Sequence, residues 1–177
     1  MKSCKHVLVT SAALLAVAAC SPTSSPAPTA TCPTSSEKMS LEDLRVAVGA
    51  NSDVFVAKIT GHESSYDGVL GGPSEIYRVE VSNPLMGSAN GPARIEAGSE
   101  LINGKPCRFG SPLPEVGKSY LVIASYDAAR QVFRTGEGRL DMPVLTDPEI
   151  AKIGTPDEPA AVKDMREAIK SPIHLRV

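Results

Sequence analysis

Two groups of residues in this 177-residue chain have the types and spacing for chemistry. The first is Leu15-Ala16-Val17-Ala18-Ala19-Cys20, which closes an apolar run opened by Lys2 and Lys5. Small residues directly before a cysteine let the scissile peptide lie extended in a peptidase groove, and the Cys20 thiol can then carry a diacylglyceryl group. The apolar stretch 7–19 is shorter than the roughly 20 residues that span a bilayer, so it reads as a signal segment. An ordinary secretory signal, cut after Ala16-Val17-Ala18, is the competing reading. Cys20 at the cut and the polar tract behind it favour lipidation. Cys4 falls in the discarded part. The second group is His62-Glu63-Ser64-Ser65, with Asp67 close by. It offers a base, acids and hydroxyls, but no G-x-S-x-G elbow and no evident oxyanion device. It is therefore expected to be a solvated segment with a binding role, and the chain is not expected to be an enzyme.

Other chemistry finds little support. His62 and His174 have no cysteine or histidine at zinc-ligand spacing, so no metal site is expected. The Gly-rich stretch 68–72 lacks the G-K-[ST] ending of a phosphate loop, and no cofactor is expected. Removing residues 1–19 leaves 16 Lys+Arg against 20 Asp+Glu, a formal charge of −4. A mildly acidic domain lacks the footprint that nucleic-acid binding needs. With no Trp and few aromatics, base-stacking platforms and aromatic sugar shelves are also poorly supported.

The elements that must carry these residues follow from pattern. Residues 1–19 read as the signal peptide and 20–36 as a lipidated Ser/Thr/Pro-rich tether. Two or three acyl chains on Cys20, palmitate among them, are enough for stable anchoring at about 0.8 kcal/mol per CH₂. The tether cannot bury a core; as polyproline II it reaches roughly 50 Å. The expected location is the extracytoplasmic face of the cell membrane, with the lipid as the membrane partner.

Residues 37–145 read as the folded domain. Ser40 and Asp43 form a capping-box pattern before a short helix in which Leu41, Leu44 and Val48 share a face and Gly49 suits the position after the helix end. Strands are expected over 53–64, 75–85, 93–97, 120–125 and 131–135, with a short one in 140–145. In the second, Tyr77, Val79 and Val81 face one way and Arg78 and Glu80 the other. Asn83-Pro84 should end it. The run 120–125 is continuously apolar, as a central strand is. Residues 65–73 and 127–130 are expected as loops, and Asn103-Gly104 as a turn. Residues 146–177 read as a helical tail packed on the domain. Asp147 is its first N-cap, with Pro148 at the first helical position, and Gly154 closes that helix. A second helix from 157–159 to about 170 carries Val162, Met165 and Ile169 as its apolar stripe. The fold class is mainly β (α+β), a small five-stranded barrel with a short helix before it and helices after it.

At these residues a resemblance enters. The order DVFVAKITG, IYRVEVSNPLMG, a lone Cys107, EVGKSYLVIAS and a closing hairpin resembles the bacterial relatives of the tissue inhibitors of metalloproteinases, over about 32–135. It implies a netrin-like OB-fold Greek-key barrel. It also implies a disulfide between Cys32 and Cys107, the pair that remains once Cys20 is lipidated. That matches pairing in an oxidising exterior, with two free thiols as the alternative. The bond would close a loop of about 75 residues and contribute roughly 4 kcal/mol on the chain-entropy model. The eukaryotic inhibitors chelate a protease zinc through the free amine of a terminal cysteine. Cys32 is internal and Cys20 is lipid-capped, so that route is missing here. The expected function is a lipid-anchored surface module that binds a protein or envelope ligand. The candidate binding residues are His62, Glu63, Tyr66, Arg108 and Phe109, from loops over 61–73 and 103–114. The alternative is an extracytoplasmic metalloprotease inhibitor acting through barrel loops.

Overall fold

The computed structural model describes residues 39–67, 73–102, 105–107, 113–135 and 142–175. In chain order these form α1 (Leu41–Gly49), β1 (Asp53–Asp67), β2 (Pro73–Met86), β3 (Gly91–Gly98), β4 (Glu100–Ile102), β5 (Lys105–Cys107), β6 (Ser119–Asp127), β7 (Val132–Thr135), β8 (Val144–Leu145), α2 (Asp147–Ile150) and α3 (Ala160–Lys170).

Five strands close into a ring. The order runs β1-β2-β3-β7-β6, and β6 pairs back onto β1. Every contact is antiparallel except the short parallel one between β3 and β7, where Ile95 faces Phe133 and Glu96 faces Arg134. This is the five-stranded Greek-key arrangement of an OB barrel. β8 extends β6 at its free side, pairing Ser119 with Leu145. β4 and β5 form a separate hairpin between β3 and β6. It is absent from the expected strand list, because three-residue strands carry too little periodicity to be read. Asn103-Gly104 lies outside the described residues, but Ile102 pairs with Lys105 directly beside it.

The apolar strands have two jobs, which explains their composition. Phe55, Ala57, Ile59, Tyr77, Val79, Val81, Ile95, Tyr120, Val122 and Phe133 fill the barrel. Val54, Val56, Leu121 and Ile123 point outward and are covered by Leu44 and Val48 of α1 and by Val162, Met165 and Ala168 of α3. The first half of β1 and most of β6 are thus buried on both faces, so neither shows polar alternation there. The C-terminal end of β2, Leu85 and Met86, packs against this helix-covered cluster, but no described helix covers the middle of the strand, where the outward Arg78 and Glu80 are exposed.

Several boundaries move. β1 runs three residues past Ser64, and β2 continues through Asn83-Pro84 to Met86. Pro84 is tolerated because it is exposed and sits where the β1–β2 register slips. Ser40 caps α1 with the full capping box, its Oγ accepting from the Asp43 N–H at 3.1 Å. Leu41 is 37% exposed and does not join the face of Leu44 and Val48. Gly49 belongs to the helix, and the residue after it is right-handed Ala50. Its small size serves close packing instead, because Ile173 crosses directly over it. Thr146 is the N-cap of α2, and Pro148 is its second residue. Thr146 wins the position through Glu149, whose Oε2 accepts from the Thr146 N–H at 2.8 Å. In α3 the fully buried stripe is Val162, Met165 and Ala168, with Ile169 at its margin.

The link from α2 to α3 is tied by Glu158. Its Oε1 accepts from the Gly154 N–H at 2.9 Å and from Arg166 Nε at 3.0 Å. Burial pushes this carboxyl up, yet the Gly154 and Arg166 bonds together hold it below its ordinary 4.5. A carboxyl held low stabilises the fold above the ordinary value and loses that contribution as pH falls through the lower folded one. Glu158→Gln should therefore lower stability at pH 7, and the gap to wild type should narrow as pH falls from the neutral range to below 4.5. Circular-dichroism melts across that range check it; a gap that does not shrink on acidification would refute the role.

Candidate functional site

A groove of about 600 Å³ opens on the outer side of the barrel. β1 supplies Thr60 and Glu63, β2 supplies Arg78 and Glu80, and β3 supplies Pro92 and Arg94. Ser88 and Asn90 from the β2–β3 connection form one rim, and Tyr126 and Gln131 from the β6–β7 hairpin form the other. Val79 and Phe133 reach it from the barrel core.

Each rim is held in shape by a carboxylate. Asp53 is 2% exposed, and its Oδ1 accepts from the Ser88 and Ala89 N–H groups at 2.7 and 3.2 Å. Gly87 precedes them at φ +87°, and a Cβ there would lie 2.2 Å from Asp53 Oδ1. On the other side, Asp127 Oδ1 accepts from Ala129 and Arg130 at 3.0 and 3.2 Å, folding the chain over its own side chain. Gln131 completes that turn at φ 53°, the left-handed region that non-glycine residues seldom occupy.

Three of the expected binding residues lie on β1: His62 and Glu63 within the expected strand, and Tyr66 beyond it, where a loop was expected. Glu63 makes a two-point pair with Arg94, at 2.6 Å to Nη2 and 3.1 Å to Nε. Arg94 Nη1 also donates to the Arg130 carbonyl at 3.3 Å, tying β3 to the hairpin turn. Tyr66 donates its hydroxyl to Glu96, whose other oxygen takes Arg130 at 2.8 Å, with Arg134 3.7 Å away. The Arg130 guanidinium lies over the Tyr66 ring, 4.6 Å from its centroid. Its hydrogen bond to Tyr66 is the largest of the influences that raise the Arg130 pKa, with burial opposing it and Glu96 adding to it.

His62 faces a different neighbourhood. Its Nε2 lies 2.6 Å from Glu75 Oε2, and Ser65 Oγ donates to that same oxygen at 2.5 Å. Ser65 Oγ is 3.4 Å from the same ring nitrogen. A nucleophilic triad needs hydroxyl and carboxylate on opposite ring nitrogens. Here both meet Nε2, and the carboxylate binds the hydroxyl directly, so the arrangement is a polar clasp that holds the β1–β2 end together. His62 also packs edge-on against Tyr77, with centroids 5.3 Å apart.

Arg108 and Phe109 lie outside the described residues, as do Cys20, Cys32 and most of 103–114. Cys107 is fully buried on β5. Among the described residues, no three His, Cys, Asp or Glu side chains converge as a metal ion would need. No helix among them is long and apolar enough to cross a membrane.

Sequence reasoning missed Glu75, Glu96, Arg94, Tyr126 and Gln131. Alternation places Arg94 and Glu96 outward, but a short ARIEA strand gives no sign that Glu96 is buried by Tyr66 and Arg130 from distant positions. The fold and groove define a small OB barrel capped on one side by helices and open on the other. The chain matches no protein-family model and no curated protein.

Proposed function

We propose that this protein is a lipid-anchored module at the extracytoplasmic face of the membrane, and that its barrel binds a protein or envelope ligand in the groove over β1, β2 and β3. One observation carries the binding part. The face of β2 and β3 and the turn between the last two ring strands are where OB barrels take their ligands, and the groove lies there with no described helix over it. The anchor part rests on Cys20 and its preceding small residues, followed by a Ser/Thr/Pro-rich tether. The pairing of Cys32 with Cys107 belongs to the same reading; it is supported by the burial of Cys107 and would fix the end of the tether to the barrel. No catalytic step is part of this function.

The test uses the full-length protein in detergent micelles, immobilised and exposed to solubilised envelope of its own cells. Asn90→Trp fills the groove from an exposed rim position. Wild type should retain material that the variant loses at least tenfold; equal retention would remove the groove from the account. Palmitate should label wild type and not Cys20→Ser. A protein that inhibits a panel of zinc proteases, and loses inhibition on filling the groove, would support the inhibitor alternative instead.

A further inference from the structure

The groove contains an arginine whose neighbours leave it unmatched. On β2, Arg78 pairs in register with Gly61 of β1 on one side and with Arg94 of β3 on the other. Like charges directly opposite on adjacent strands repel. Arg94 is neutralised by its two bonds to Glu63. Arg78 makes no ion pair or side-chain hydrogen bond among the described residues. Its guanidinium lies across Gly61, where a Cβ would come within 2.8 Å of it, so that side offers no charge either. In the next row Glu80 faces Lys58 in register, with no ion pair between them among the described residues. Of the two cations that line the groove, Arg78 is the one with its donor fork unused.

A planar fork of guanidinium donors matches a carboxylate held by two oxygens. Around it the groove presents the neutral hydroxyl and amide groups of Thr60, Ser88, Asn90 and Gln131, together with two carboxylates: Glu63, which is taken up by Arg94, and Glu80, two residues along the same face of β2. The neutral groups both donate and accept, as the hydroxyls of a sugar do. Tyr126, 48% exposed and leaning on Phe133 at 4.9 Å between centroids, adds one ring face for a sugar's C–H groups. An acidic peptide would instead favour a free strand edge or apolar side-chain pockets. We infer that the groove binds an anionic glycan of the uronic-acid type, with Arg78 reading the carboxylate. This rests on the groove being the binding face. Scarcity of aromatics does not count against it, because charge and hydroxyl recognition lead and one ring suffices.

The test is calorimetric titration of the full-length protein in micelles with three probes: trigalacturonate, the neutral galactose trimer of the same linkage, and triglutamate. Trigalacturonate should bind, at least tenfold more tightly than either of the others, and more weakly as salt rises. Arg78→Gln should weaken it at least tenfold, and Arg78→Lys should fall between, since an ammonium keeps the charge and loses the fork. Arg78 is exposed, so both variants should melt with wild type, which separates lost binding from lost folding. The inference is overturned if no trigalacturonate binding is detected, if either other trimer binds as tightly, or if Arg78→Gln binds as wild type does. Should trigalacturonate fail while envelope material is still retained by wild type and lost by Asn90→Trp, the glycan inference falls and the binding groove stands. Should Asn90→Trp retain as much as wild type, the groove itself falls.

Discussion

Replacing Asp53 by alanine is expected to destabilise the domain by about 3 kcal/mol, a drop of about 10 °C in melting temperature. The carboxylate is buried at the start of β1 and is the acceptor for two consecutive N–H groups, of Ser88 and Ala89. Ser88 is exposed and can turn to water. Ala89 is 1% exposed, so its N–H would be left buried and unpaired. The loss of a charged acceptor accounts for most of the cost. Ser52, whose hydroxyl donates to the other oxygen at 2.5 Å, adds a smaller part. Asp53→Asn keeps an acceptor in place and should lose less than half as much. Because Ser88 and Asn90 form a groove rim, Asp53→Ala should also weaken ligand retention at temperatures where the barrel is still folded. With no Trp in the chain, far-UV circular dichroism follows the melts. An Asp53→Ala protein as stable as wild type would show that the 87–89 connection is held by something else.

Gly49→Ala should be the second large effect, and its sign is unusual for a helix. Alanine in place of glycine inside a helix normally stabilises by about 1 kcal/mol. Here the new Cβ would lie 2.1 Å from the Ile173 carbonyl oxygen and 2.6 Å from its carbon. Both are backbone atoms, so no rotamer change relieves the contact. The C-terminal segment must lift, losing the Ile173 N–H bond to the Arg45 carbonyl at 3.0 Å and the His174 Nδ1 contact with the Gly49 carbonyl at 2.9 Å. The net loss expected is about 2 kcal/mol after the helix gain is subtracted. In a chain ending at Ser171 the segment is gone, and Gly49→Ala should turn neutral or stabilising. A full-length Gly49→Ala protein that melts with wild type, or a truncated one that loses as much as the full-length variant, would contradict this packing.

These two residues show how far the sequence could be read. The capping box at Ser40 and Asp43, the inward Tyr77-Val79-Val81 set and the central apolar run at 120–125 are local or periodic signals, and each appears in the fold as expected. The glycine at 49 was also visible, but its purpose was not. A helix end and a close crossing by residue 173 call for the same residue type, and only the second depends on the distant chain. The same limit applies at the site. His62, Glu63 and Tyr66 were legible as chemistry-bearing neighbours in sequence. The structure separates them, with His62 in the Glu75 clasp and Glu63 and Tyr66 bound to Arg94 and Glu96. Ordinary alternation along β1 puts Glu63 on the other face from His62, and the register slip after His62 moves Tyr66 off the face it would otherwise share with His62. A bulge reverses which residues share a face, and nothing in the local composition announces it. The buried state of Glu96 depends on partners 30 and 34 residues away, and the parallel β3–β7 contact that closes the ring is longer-range still.

The arrangement also explains why one side of the barrel is available. α1 and α3 cover the outer face of β1 and β6, satisfying Val54, Val56, Leu121 and Ile123. Residue 39, where the described chain begins, leads straight into α1 on the helical side of the barrel. The uncovered strands carry Arg78, Glu80 and Arg94. The domain thus has its packing helices on one side of the barrel and the groove on the other.

The central claim is that recognition occurs in the groove over β1, β2, β3 and the β6–β7 turn. Hydrogen–deuterium exchange of the full-length protein in micelles, with and without solubilised envelope of its own cells, tests it most directly. The account predicts slowed exchange in 58–64, 76–82, 88–94 and 127–133, with α1 and α3 unchanged. Protection confined to α1 and α3, or to none of these segments, would contradict it.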